Sequence, residues 1–99
     1  MCTMKLSVSK EAAEWYKNEM DLQDGDYVQF FVKLYGGIPT VNPNYSLGVS
    51  LGKEGTIAIE DTVSGITFYF NDNDSWFLDE YSMKVIVSKG EVDFIFDKR

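Results

Sequence analysis

The strongest constraint on folding lies between Tyr27 and Leu51, where apolar residues recur at every second position on either side of a glycine pair. In the run from Tyr27 to Tyr35, Val28, Phe30, Val32 and Leu34 share one face, and Leu47, Val49 and Leu51 repeat the pattern. A period of two belongs to a strand, whose successive side chains point to opposite faces, so each run is expected to lay one face on a core. The intervening Gly36-Gly37-Ile38-Pro39-Thr40-Val41-Asn42-Pro43-Asn44 reads as a loop. Its glycine pair is expected to end the first strand in a backbone conformation with positive φ.

The remaining chain supplies layers for these strands. Met4, Leu6 and Val8 alternate loosely in a short first strand, and Ser9 is placed to cap a helix whose first turn carries Glu11 and Glu14. Ala12, Ala13, Trp15, Tyr16 and Met20, spaced by three and four, turn an apolar stripe toward a sheet, and the helix ends before Asp24-Gly25. A weaker strand covers Thr56 to Glu60. The turn signal Ser64-Gly65 precedes an aromatic strand with Ile66, Phe68 and Phe70, which Asn71 to Asp74 break. Asp72 or Asp74 is expected to cap a short helix over Ser75 to Glu80, with Trp76, Phe77 and Tyr81 packed on the sheet. Met83, Val85 and Val87, the Lys89-Gly90 turn, and Val92, Phe94 and Phe96 read as a closing hairpin.

This order predicts an α+β fold: a single β-rich domain spanning 1–99, mostly antiparallel, with one long N-terminal helix and one short helix. So many aromatics among few interior polar positions favour a sandwich or part-closed barrel, because a flat sheet would leave one face exposed.

Composition removes whole classes of function. Sixteen acidic residues against nine basic ones give a net charge of -7, a field that repels nucleic acid and anionic membrane surfaces. Met1 to Lys5 lack the apolar segment of a secretion signal, and no run is long enough for a membrane span, so a cytoplasmic location is expected. The chain has no histidine, hence neither the commonest catalytic base nor the commonest metal ligand. Cys2 is the only cysteine, too few thiolates for a zinc or iron–sulfur site within one chain, and without a basic neighbour beyond Lys5 to activate it. Asp72-Asn73-Asp74 lacks the glycine and terminal glutamate of a calcium loop, and Glu60-Asp61 reads as a solvated turn. No enzyme, resident metal or cofactor is expected from these residues.

Leu6-Ser7-Val8-Ser9-Lys10-Glu11-Ala12-Ala13, the strand running into Gly36-Gly37, Tyr45-Ser46-Leu47-Gly48-Val49, and Gly65-Ile66-Thr67-Phe68-Tyr69 together resemble the HesB-like family of A-type iron–sulfur carrier proteins, in its short Gram-positive branch. The resemblance implies a compact β-rich fold, a role in assembling or delivering iron–sulfur clusters, and in many members a homodimer. Cluster-binding members carry a cysteine directly after the double glycine and a Cys-Gly-Cys near the C-terminus. Here Ile38 holds the first position and Asp97-Lys98-Arg99 closes the chain, so thiolate ligation is not carried over. The expected function is that of a non-enzymatic HesB-like domain acting through protein contacts, using the loop from Gly36 to Asn44 and the acidic face. Tyr35, Gly36, Gly37, Ile38 and Tyr45 are the candidate residues for a ligand or partner. A second reading is a small-molecule pocket lined by Tyr35, Ile38, Tyr45 and Trp76; a third is a carrier bridging two subunits through Cys2.

Overall fold

The computed structural model describes residues 5–34, 38–39 and 45–98. The elements follow one another as β1 (Leu6–Val8), α1 (Lys10–Glu19), β2 (Tyr27–Lys33), β3 (Ile38–Pro39), β4 (Ser46–Leu51), β5 (Ile57–Val63), β6 (Ile66–Asn71), a 3₁₀ turn (Ser75–Leu78), β7 (Tyr81–Ser88) and β8 (Glu91–Lys98). The strands form two sheets, ordered β1-β7-β8 and β3-β4-β2-β6-β5. The α+β class expected from the sequence is observed, with two mixed sheets and no closed barrel.

Helix α1 begins where the sequence requires. The Ser9 side chain accepts a hydrogen bond from the Ala12 N–H at 3.1 Å, satisfying one of the donors that a helix start leaves unpaired. Ala12, Ala13 and Tyr16 are buried, and Trp15 and Met20 pack at the margin of the same stripe. The Tyr16 ring stands between the layers, 5.7 Å from Phe68 and 6.4 Å from Phe30, and burial pushes its phenol up to about 12. Phe30 and Phe68 stack at 6.1 Å across the parallel β2–β6 pair, and Phe94 of β8 meets Phe30 edge-on at 5.9 Å. These contacts join the helix and both sheets in one core. Fully burying a phenyl of this kind contributes about 1.5–3 kcal/mol.

The sheets also meet along their edges. The Val8 N–H, at the free edge of β1, donates to Asp61 Oδ2 of β5 at 2.8 Å. An edge donor that no strand pairs is thereby satisfied by a carboxylate from the other sheet.

Three expectations need correction and one needs refinement. The last is the pairing, which is mostly antiparallel as expected but includes two parallel pairs, β1 with β7 and β2 with β6. Hairpin spacings report only on strands adjacent in sequence, and these partners are distant. Leu34 and Leu51 are exposed (73% and 54%), because the alternating runs extend past the cover supplied by the opposite layer. The segment expected as loop contributes β3, whose Ile38 and Pro39 pair antiparallel with Leu47 and Ser46. Proline is tolerated there because β3 is the sheet's edge. The short helix is a four-residue 3₁₀ turn, and the Asp74 side chain makes no capping bond to it.

Candidate partner-docking surface

One end of the large sheet gathers aromatic side chains at the surface. It comprises the end of β2, the edge strand β3, the start of β4 and the 3₁₀ turn. Register brings the first three together: Lys33 lies opposite Ser46, and Ser46 opposite Pro39. Leu34 and Tyr45 therefore leave the sheet at the same end.

The 3₁₀ turn is fastened to that end by short-range chemistry. Asn71 Oδ1 accepts from the Asn73 N–H at 3.1 Å, and the Asp74 and Phe77 N–H groups each close a turn onto the carbonyl three residues earlier. Such tight turns need no amphipathic period to form, only polar residues able to satisfy nearby backbone donors. Burial pushes the Asp74 carboxyl above the usual aspartate range, and the Val32 N–H of β2 donating to it pulls the other way. The same bond ties the turn to β2, which ends just before Leu34.

Two consecutive aromatics in the turn take different roles. Phe77 is buried and meets Phe96 of β8 at 6.1 Å, edge-on. Trp76 is 46% exposed, with Tyr45 5.4 Å away at 73° and Phe77 5.9 Å away at 80°. Tyr45 also touches Phe77, at 6.4 Å. The result is a half-exposed indole with two edge-to-face contacts, in a turn tied to β2 two residues before the exposed Leu34. Asp72, Asp79 and Glu80, close to it in sequence, are exposed. A half-exposed tryptophan held by aromatic contacts, with exposed acids nearby in sequence, has the make-up of a protein-recognition anchor.

The residues expected to form a site are distributed unequally. Tyr45 and Trp76 are in contact, and Ile38 pairs with Leu47 in the edge strand β3. Tyr35, Gly36 and Gly37 lie outside the described residues, as do Cys2 and the loop residues 40–44. Trp76, expected first as core, is instead at the surface. Leu34 was not singled out as a candidate; its position at the last step of an alternating run, just before the glycine pair, is the signal that could have found it. Among the described residues no group of three metal-capable side chains converges, and no helix is long and apolar enough to cross a membrane.

Comparison with known proteins gives the chain its relatives. No family model matches it. A pyruvate dehydrogenase inhibitor of Bacillus subtilis is 34% identical over 94 residues, which cover 95% of this chain and 98% of that protein. The chain belongs to that protein's family. An uncharacterized protein of Staphylococcus saprophyticus is 30% identical over 90 residues, 88% of this chain and 91% of its own length, and one of Staphylococcus epidermidis is 29% identical over 98 residues.

This membership overturns the resemblance to HesB-like iron–sulfur carriers, and with it the expected carrier-related role, the bridging role for Cys2 and the small-molecule pocket. A glycine pair and a similar run of strands had supported the resemblance, and strand order alone does not carry a function. The name of the Bacillus protein is that of a regulator and not of a catalyst, which agrees with the non-enzymatic character read from the residues. An enzyme inhibitor works on another protein, which agrees with the expectation of a protein partner.

Proposed function

We propose that this chain is a cytoplasmic inhibitor of pyruvate dehydrogenase that acts by binding it. The observation that carries the reading is 34% identity across almost the whole of both chains to a protein named for that inhibition. The docking end offers a physical means. Trp76 and Leu34 present apolar area that water covers poorly, and the contacts of Trp76 with Tyr45 and Phe77 reduce the side-chain entropy lost when a partner closes over it. Of the residues the sequence singled out, Tyr45 is the one that touches the indole in this reading. No chemistry on the partner is required. Covering a surface or holding one conformation is sufficient to inhibit.

The test is the rate of pyruvate oxidation by purified Bacillus subtilis pyruvate dehydrogenase with increasing amounts of the chain. Inhibition that saturates is the expected result. Trp76→Ala should raise the concentration for half-inhibition about tenfold or more, the loss typical of an anchoring aromatic. An unchanged rate at large excess of the chain overturns the function, whereas full inhibition by the Trp76→Ala protein overturns only the surface.

A further inference from the structure

Strand β8 is an eight-residue edge, and among the described residues no strand pairs its outer side. The register of the hairpin fixes which backbone groups lie there. Ser88 and Glu91 flank the two-residue Lys89-Gly90 turn and form a hydrogen-bonded pair, so hydrogen-bonded pairs recur at Ile86 with Asp93, Lys84 with Ile95 and Ser82 with Asp97. The N–H and C=O groups of Val92, Phe94 and Phe96 consequently point away from β7. Such a row is a template for a further strand.

One of these outward donors is already occupied. The Phe94 N–H donates to Oδ1 of the preceding Asp93 at 3.0 Å. The carboxylate folds along the edge and takes the place that an incoming carbonyl would hold. Asp93 belongs to an acidic row on the face of β8 turned from the core, with Glu91 and Asp97, and Ile95 stands among them 38% exposed.

These charges decide what can dock. A second copy pairing antiparallel about Ile95 would set Asp93 against the copy's Asp97, twice by symmetry, and directly opposed like charges destabilise a strand pair. Lys84 reaches Asp97 at 3.8 Å, but both side chains are more than half exposed and neutralise each other weakly. A strand bearing lysine or arginine meets the opposite situation. Its cations would draw the Asp93 carboxylate off the Phe94 N–H, and its carbonyl would take over that donor.

We propose that the β8 edge is a site of strand addition for an extended lysine- or arginine-bearing segment of another protein, with Asp93 as the gate that keeps the edge closed to a second copy. This surface lies on the smaller sheet, and the proposal does not depend on how Trp76 is used.

Amide hydrogen exchange of the full chain tests it, with a synthetic peptide of alternating lysine and valine as probe and a glutamate–valine peptide as control. Saturating lysine peptide is expected to slow exchange at Phe94 and Phe96 by about tenfold or more, a protection that fades in ~0.5 M salt. The glutamate peptide should leave both amides unchanged. Asp93→Lys should reverse the preference, and its retained amide spectrum would show that it still folds. Protection by neither peptide, by both equally, or only at other amides overturns the proposal. So does protection of Phe94 and Phe96 that grows with protein concentration alone, because the occupant would then be a second copy.

Discussion

The hairpins β5–β6 and β7–β8 are built on the same local code and placed in different surroundings. Each turns on two residues with positive φ, Ser64 and Gly65 at 53° and 82°, and Lys89 and Gly90 at 54° and 80°. These are the angles of the two-residue turn that matches the twist of antiparallel strands. The first turn is held by neighbours: the Gly25 N–H donates to the Gly65 carbonyl at 2.7 Å, and Lys17 bridges Asp24 at 2.6 Å while reaching the Ser64 carbonyl at 3.4 Å. The second ends in solvent, and a Cβ placed on Gly90 would meet nothing within 4 Å. Sequence sets the turn type in both, whereas the cost of altering it is set by what stands nearby.

The largest test of that difference lies in the strands behind the turns. Phe68 is fully buried against Tyr16 and Phe30, so Phe68→Ala should lose about 3–5 kcal/mol in denaturant unfolding. Phe94 is only half-buried on its edge strand, and Phe94→Ala should lose roughly half as much. Equal losses would mean that the two hairpins share one degree of burial after all. Next come the turns themselves. Both glycines sit where an L side chain is strained by about 1–2 kcal/mol, but a Cβ on Gly65 would also stand 2.6 Å from Asp24 Oδ1. Gly65→Ala should therefore lower the melting temperature more than Gly90→Ala, by the cost of displacing Asp24 from Lys17.

The smallest effect is electrostatic. A hydrogen bond from Lys17, with its charge, holds the Asp24 carboxyl below the usual aspartate range. A depressed folded-state pKa adds stability above the unfolded value, near 3.8, and that stability is lost as pH falls through the folded value. Asp24→Asn should accordingly be less stable than the parent at neutral pH, with the difference shrinking below about pH 3.8 in acid titrations followed by circular dichroism. Asp97→Asn, which removes the exposed partner of Lys84 on the second hairpin, should change stability by less than about 0.5 kcal/mol.

Much of the architecture could be read from residue pattern. The Ser9 cap, the Ala12–Ala13–Tyr16 stripe, both aromatic strands and the Lys89-Gly90 hairpin follow from spacing and turn chemistry, which act over a few residues. Strand partnership could not be read in the same way. Period two tells which face of β2 is buried, not that β6 lies parallel beside it, because that choice is made by packing between distant segments. The candidate surface was half legible. Tyr45 and Trp76 stood out as aromatics, yet the exposure of Trp76 depends on a single 3₁₀ turn too short to show any periodicity. The carrier resemblance failed where its evidence was weakest, in glycines and strand order with no ligand chemistry behind them.

The pairing of β1 has a consequence for how the chain comes into being. Leu6 and Val8 lie opposite Met83 and Val85, and the Val8 N–H is satisfied by Asp61. β1 therefore cannot take its place in the sheet until β7, much later in the chain, has been made. Until then α1 can lay Tyr16 on Phe30 and Phe68, but β1 has no strand to pair with. Long-range closure of this kind is slow relative to local hairpins, so Leu6 and Val8 stay uncovered until β7 closes over them.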